Sequence, residues 1–257
     1  MKLKLPPGTE VGRKIPKNKF YEKLQAGSNL KELFVEQVES VIWAHNLSPR
    51  TVRLEAVDGI EEIQIFEIEL RQRSCSLEIL RAIDRAIPYP ILYVLQCEDE
   101  SKLAIAYKER SGSDENRSVV RSYHETQWRR EDSADGEQKE AVFEVLQGLD
   151  LKAVYEHIVR SVVLAGNASG GRGERYEPGM PAGETGNVDA TVDGLALKAL
   201  LERQAKIEAL QRHCAKLEAK IGREKQFNRK VELNMELQRK RKELKELQCE
   251  TTPEREL

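Results

Sequence analysis

Residues 60–96, IEEIQIFEIELRQRSCSLEILRAIDRAIPYPILYVLQ, contain the succession of elements that decides the fold. Alternating apolar residues predict a β-strand over Ile60–Leu70. Apolar residues then return at helical spacing between Leu77 and Ile87, which predicts a short helix. The apolar run PYPILYVLQ at residues 88–96 predicts a second strand, covered on both faces. A strand, a helix and another strand in this order favour a sheet with helices packed against it.

The flanking sequence extends this pattern in both directions. Apolar residues at helical spacing from Leu30 to Ile42, after an N-cap at Asn29, predict a helix. Thr51–Val57 predicts a strand that the Asp58-Gly59 turn joins to Ile60–Leu70 as a hairpin. Further downstream we expect strands over 103–107 and 118–128 and helices over 141–147 and 151–163. The fold class is therefore α/β, with an α+β-like mixed sheet and packed helices.

The composition changes abruptly after Ala165, which divides the chain. Eight of the sixteen glycines lie between Gly166 and Gly194, with few large apolar residues. Such a segment cannot bury enough surface to offset the entropy of ordering, so residues 164–193 are predicted to be a flexible linker. The predicted organisation is a globular domain over 1–163, the linker, a coiled coil over 194–250 and a tail over 251–257.

The predicted coiled coil carries apolar residues every three or four positions up to Leu247, flanked by Glu, Lys, Arg and Gln. A single long helix with this pattern needs a partner, because it cannot bury its apolar side alone. The residues predicted to form an oligomer or partner interface are Ile207, Leu210, Leu217, Ile221, Leu237 and Leu244. The apolar series before Gly222, which ends at Ile221, and the series through Leu237 and Leu244 differ in heptad register by two residues. If the first register continued past Gly222, it would place Val231 and Met235 at core positions. Either a polar segment sets the register of one helix, or two helices fold back on each other.

Three carboxylates are the candidates for catalysis. Glu67 and Glu69 share one face of a strand because alternate residues point the same way, and Asp58 precedes them at a turn. Nucleases of the PD-(D/E)xK type hold magnesium with two such acids followed by a lysine. Position 69 here carries a carboxylate in place of that lysine, so a degraded, magnesium-dependent nuclease is the alternative hypothesis. The simpler interpretation is a strand end in solvent, with these carboxylates paired to Arg71 or Arg73.

Basic residues crowd the late helix, with Glu interleaved at spacings that favour i,i+4 ion pairs. One interpretation is contact with nucleic-acid phosphates, and the other is a solvated coiled-coil surface. The residues predicted to touch nucleic acid are Arg223, Lys225, Arg229, Lys230, Arg239 and Arg241.

The overall charge and composition of the chain argue against several other classes of function. A net charge of -2 argues against binding polyanions by bulk charge. Four scattered cysteines without CxxC spacing argue against structural zinc and a disulfide framework, and no resident metal or cofactor is expected. The chain shows neither a membrane span nor a signal-peptide core, so the expected location is the cytoplasm.

Several segments, among them LKELFVEQVESVIWAHNLSP, AIDRAIPYPILYVLQ and QFNRKVELNMEL, resemble an uncharacterised bacterial family, domain-of-unknown-function family 4391. The resemblance implies a setting beside helicases and DNA methyltransferases in restriction-like defence clusters, and it brings no catalytic motif. The favoured function is a non-enzymatic adaptor or assembly component of a DNA-processing or antiphage complex. Its expected partners are a second copy of the chain, a larger helicase or methyltransferase, and nucleic acid.

Overall fold

The computed structural model describes residues 2–22, 28–111, 114–130, 142–167 and 190–249. The chain divides into two units, Met1–Gly186 and Asn187–Leu257. The first unit is built on a mixed β-sheet, and the second is a pair of helices.

The described residues of the first unit contain nine strands. They are β1 (Lys2–Lys4), β2 (Glu10–Lys14), β3 (Val38–Leu47), β4 (Ile63–Leu70), β5 (Ile91–Cys97), β6 (Glu100–Ser111), β7 (Asp114–Glu125), β8 (Arg129–Arg130) and β9 (Val142–Glu144). The main sheet has the order β2-β3-β4-β5-β6-β7, and β8 pairs with the start of β6. Within it β4 and β5 run parallel, while the other neighbours run antiparallel. A separate parallel pair joins β1 to β9.

Helices connect and cover these strands. Those of the first unit are α1 (Asn18–Glu22), α2 (Ser28–Gln37), α3 (Pro49–Val52), α4 (Leu77–Ala86) and α5 (Leu151–Asn167). Helix α4 links the parallel strands and begins where the Ser76 hydroxyl accepts a hydrogen bond from the Glu78 backbone N–H (3.3 Å). The predicted order of strand, helix and strand over residues 60–96 is confirmed, as is the mixed α/β fold class.

The core lies on both faces of the sheet. On one face, Phe66 and Tyr93 pack with apolar residues of α2 and α4, all fully buried. On the other face, α5 packs against β6 and β7. There the Tyr155 hydroxyl donates to the carbonyl of Ala106 (2.7 Å) and accepts from the backbone N–H of Lys108 (2.7 Å). Burial on both faces explains the continuous apolar run of β5.

The helix predicted over residues 30–42 is wrong in its second half. Helix α2 stops at Gln37, and β3 begins at Val38. The β-branched and aromatic residues of VESVIWAHNL fit a strand, and β3 pairs with β2 on one side and β4 on the other. Pairing on both sides with distant segments outweighs the local helical spacing of Val38, Val41 and Ile42.

Two further local predictions are corrected. Helix α3 ends at Val52 and takes the first two residues of the predicted strand 51–57. Its start is fixed by a capping box, in which the Ser48 backbone N–H donates to Thr51 Oγ1 (2.8 Å). The turn at Asp58-Gly59 is present, closed by a bridge between Val57 and Ile60, but β4 takes β3 as its antiparallel neighbour. The segment predicted as a helix over 141–147 contains strand β9, which pairs with the distant β1.

The predicted single coiled-coil helix is two helices, α6 (Ala190–Arg223) and α7 (Phe227–Cys249). They fold back on each other, as shown by the Arg203 Nε–H donating to the carbonyl of Leu247 (3.1 Å). The break falls just after Gly222, where the Glu224 carboxylate accepts hydrogen bonds from the backbone N–H groups of Lys225 and Gln226 (both 2.9 Å). We call this pair the hairpin. Residues 168–189 of the predicted linker and the tail from 250 onward lie outside the described residues.

Candidate functional site

Asp58, the first predicted catalytic carboxylate, lies at an exposed turn. Its backbone φ is 50°, in the left-handed region that a turn residue adopts. Its Oδ2 accepts a hydrogen bond from Lys152 Nζ (2.7 Å) at the start of α5. This contact also raises the pKa of Lys152. The ion pair between Asp58 and Lys152 therefore links this turn to helix α5.

Glu67 and Glu69 share one face of β4, as predicted. Glu67 lies between Ile42 of β3 and Val94 of β5 in the sheet register. The Ser40 hydroxyl donates to Glu69 Oε2 (3.2 Å). Among the described residues, no three His, Cys, Asp or Glu side chains group so that they could hold a metal ion, so Asp58 does not join these two.

The arginines expected to pair with these carboxylates have other partners. Arg71 forms an ion pair with Glu39, and Arg73 forms one with Glu100. Glu67 and Glu69 therefore lie at a polar end of the sheet face without the arginine contacts that the simpler interpretation expected.

A polar cluster that the sequence did not predict lies where the parallel strands β4 and β5 end. This is the edge at which open α/β sheets commonly bind ligands. The Trp128 ring has Lys102 Nζ 5.3 Å and the Arg73 guanidinium 6.0 Å from its centre. Lys102 is ion-paired with Glu125, as Arg73 is with Glu100, so cations and carboxylates balance. This balanced cluster stabilises the strand ends and offers no unpaired charge to a ligand.

The nearby Cys75 is a poor nucleophile. Burial raises the pKa of its thiol to about 12. A thiol with such a pKa is almost entirely protonated at neutral pH, whereas reactivity requires the thiolate. Cys75 therefore acts as a small core side chain, packed at the edge of the main core cluster.

A second unpredicted feature is a buried ion pair between Asp84 of α4 and Lys108 of β6. Lys108 Nζ lies 2.8 Å from Asp84 Oδ1, and the two side chains are 4% and 1% exposed. The Tyr123 hydroxyl donates to Asp84 Oδ2 (2.8 Å), and Lys108 Nζ also donates to the carbonyl of Tyr89 (2.7 Å). Burial and the Asp84 charge both raise the pKa of Tyr123. The pair links α4 to the sheet and is structural.

Three of the six residues predicted as a partner or oligomer interface, Leu217, Ile221 and Leu237, pack between the two helices of the hairpin. The cluster between the helices consists of Cys214, Leu217 and Leu237 with Ile221 and Leu233 partly buried beside them. Ile207 is buried as well, and Leu210 and Leu244 are half-buried. The two apolar series of the sequence thus satisfy each other within one chain.

The hairpin leaves a different apolar surface exposed. Phe227, Val231 and Met235 of α7 are 78%, 42% and 57% exposed. Their spacing of four residues places them on one side of the helix, away from α6, over a length of about 12 Å. We call these three residues the apolar stripe. The sequence prediction placed two of them in a core register, because it continued one helix past Gly222.

The residues predicted to contact nucleic acid do not share one face. Successive residues of a helix point about 100° apart. Arg229 and Lys230 are adjacent and diverge accordingly. Arg229 pairs with Glu224 (3.6 Å), and Arg241 pairs with Glu218 of α6 (2.8 Å). The other predicted residues, Arg223, Lys225 and Arg239, lie on α6, in the turn and elsewhere on α7.

A family model described as Domain of unknown function (DUF4391) matches residues 3–244. The chain belongs to the DUF4391 family. No curated protein matches the chain, and no solved structure does either.

The DUF4391 match spans nearly the whole chain, from β1 to the last turns of α7. Both the sheet and the hairpin with its apolar stripe therefore fall within the matched region. Within the described parts of the chain, no helix has the length and apolarity needed to cross a membrane.

Proposed function

We propose that this chain is an adaptor, which attaches its sheet unit to a partner protein through the apolar stripe of the hairpin. The observation that carries the proposal is the exposure of Phe227, Val231 and Met235 on a hairpin whose own core is already filled. Large apolar side chains that remain exposed together mark interaction surfaces more often than scattered ones do.

The free energy gained by covering the apolar stripe is large enough to anchor a partner protein. Full burial of a side chain of this kind contributes roughly 1.5–3 kcal/mol. The exposed fractions of the three residues add to a little under two whole side chains, so covering them contributes roughly 3–5 kcal/mol before association costs. This is the scale of a few hot-spot residues at the centre of an interface.

The charges around the stripe favour a partner helix with acidic flanks. Beyond Met235 the same side of α7 continues with Lys242 and Lys245, and Arg239 lies beside it. A second copy laid parallel along this side would bring like charges together, whereas an acidic amphipathic helix would be complementary. The setting implied by the family resemblance, a DNA-processing or antiphage complex, is part of the same proposal.

The magnesium-dependent nuclease is the second candidate, and it rests on Glu67 and Glu69 sharing one sheet face. The two proposals predict different behaviour of the purified chain. An adaptor needs its partner to have any effect, whereas a nuclease cleaves DNA alone when magnesium is added.

The test of the adaptor proposal compares two double variants in the complex formed with the partner. The partner is first identified by purifying the tagged full chain from its native host, and the complex is then rebuilt from pure proteins. Phe227→Ser with Met235→Ser should weaken binding by 30-fold or more, since each 1.4 kcal/mol changes affinity about tenfold. Titration calorimetry measures the affinity directly.

The matched control replaces two exposed apolar residues of the sheet unit, Val35→Ser with Leu149→Ser. These residues are 54% and 89% exposed, so the control removes a similar amount of exposed apolar surface. Its affinity should stay within about threefold of the wild type. Equal affinities for the stripe variant and the control would refute the proposal.

A further inference from the structure

The outer side of α6 carries a row of basic side chains, Arg212, Lys216, Lys220 and Arg223, which we call the basic row. All four are exposed. Steps of four, four and three residues keep them on one side of the helix, over about 17 Å. This side faces away from the cluster between the helices, so the basic row and the apolar stripe occupy the outer sides of different helices.

The cations of the basic row have no carboxylate partner in the part of the chain that the structure describes. Within that part, Arg212 donates only to the Glu208 carbonyl (3.3 Å). On α7, by contrast, Lys240 and Lys242 are paired with glutamates of their own helix. The whole span from Ala190 to Cys249 contains fifteen Lys and Arg against nine Asp and Glu. This positive excess is shared equally by α6 and α7, and on α6 the basic row supplies four of the seven cations.

The surface between these cations forms a depression of about 390 Å³. Ala209, His213 and Leu217 line it together with three members of the basic row. No large apolar side chain projects from this side of α6. An extended anion can therefore approach the helix closely along the row.

We propose that the basic row binds the phosphate backbone of a nucleic acid without reading its sequence. A membrane surface would require exposed bulky apolar side chains on the same side to insert between lipids, and the one large apolar residue beside the row, Leu217, is buried. A protein partner would also need apolar anchors at the centre of the contact. A polyphosphate backbone needs only charge and access, which the row provides.

The match in charge spacing supports a duplex as the ligand. Double-stranded DNA presents one charge per about 1.7 Å of its axis, so a row of about 17 Å faces roughly ten phosphates. Each of the four cations can therefore meet a separate phosphate. With four contacts, the logarithm of the binding constant should fall with the logarithm of salt concentration at a slope of about -3 to -4.

The test uses the full chain and a fluorescent DNA duplex of about 20 base pairs, with binding followed by anisotropy. Wild type should bind at about 50 mM salt with the slope given above. The row variant, with four changes to Gln, should bind at least 100-fold more weakly. Glutamine is a good helix former, so circular dichroism should show unchanged helix content. The row variant is R212Q/K216Q/K220Q/R223Q.

The control removes the same number of charges from exposed cations off the row, among them three that the sequence predicted as contacts. It should bind within about fivefold of the wild type and keep its slope. A milder variant, Lys216→Gln with Lys220→Gln, should reduce the slope by about two. The control variant is K225Q/K230Q/R239Q/K245Q.

Three results would overturn the proposal. The first is no duplex binding by the wild type at about 50 mM salt. The second is an equal loss in the row variant and the control, which would mean that bulk charge alone attracts DNA. The third is binding to vesicles containing phosphatidylserine but not to the duplex. None of these results bears on the apolar stripe, so the adaptor proposal is tested separately.

Discussion

Replacing Asp84 with asparagine should destabilise the sheet unit by about 3–5 kcal/mol. The change leaves the ammonium group of Lys108, which is 4% exposed, without its counterion 2.8 Å away. The remaining hydrogen bonds to the carbonyls of Tyr89 and Ile87 cannot offset the cost of a buried charge. The matched control is Asp99→Asn, which removes an exposed ion pair with Arg130 and should cost less than about 1 kcal/mol.

Tryptophan fluorescence during urea or thermal unfolding measures this effect in the sheet unit alone. Both tryptophans of the chain, Trp43 and Trp128, lie in that unit. For a unit of this size, each 1 kcal/mol lowers the melting temperature by about 2–4 °C, so D84N should lower it by about 6–20 °C. Adding Lys108→Met, which removes the unpaired charge, should restore most of the loss. If the free energy of unfolding of D84N lies within about 1 kcal/mol of the wild-type value, the buried ion pair does not hold α4 to the sheet.

Three further predictions concern single sites in the sheet unit. Cys75 should resist iodoacetamide in the folded chain at pH 8 and react fully in urea, because its pKa is raised to about 12. Equal rates of Cys75 alkylation with and without urea, measured by mass spectrometry, would contradict this. Burial lowers the pKa of His157 in the folded state, so its contribution to stability is present above the unfolded pKa of about 6.5 and is lost as the pH falls below that value. The difference in melting temperature between pH 5 and pH 7.5 should therefore shrink in His157→Gln, and an unchanged difference would refute the assignment. Glu67→Gln with Glu69→Gln should leave the adaptor function intact, and the purified wild type should not cleave DNA with magnesium; cleavage that this double substitution abolishes would favour the nuclease instead.

The sequence predicted the parts of the fold whose determinants are local. The periodicity of α4 and the doubly covered run of β5 are both properties of contiguous residues. The prediction failed at β3, where helical spacing coincides with a β-branched segment and pairing with distant strands decides the outcome. It also failed at β9, whose partner β1 lies at the other end of the unit.

The candidate site was harder to predict because its residues come together only in three dimensions. The cluster around Trp128 draws on the end of β4, the start of β6 and the end of β7. In the hairpin, every heptad position was visible in the sequence, but the direction of the chain after Gly222 was not. That one turn decides whether Val231 lies in a core or on the surface. The slip of two positions in the register was the available indication that the helix reverses there.

The most direct test of the adaptor account is site-specific photocrosslinking of the full chain in its native host. A benzophenone amino acid is placed at Val231 in the apolar stripe or, as a control, at Lys216 on the outer side of α6. We expect a protein crosslink from position 231, mapped to an acidic amphipathic helix of the partner, and none to that protein from position 216. A crosslink from position 231 to a second copy of the chain, or equal crosslinks to the partner from both positions, would contradict it.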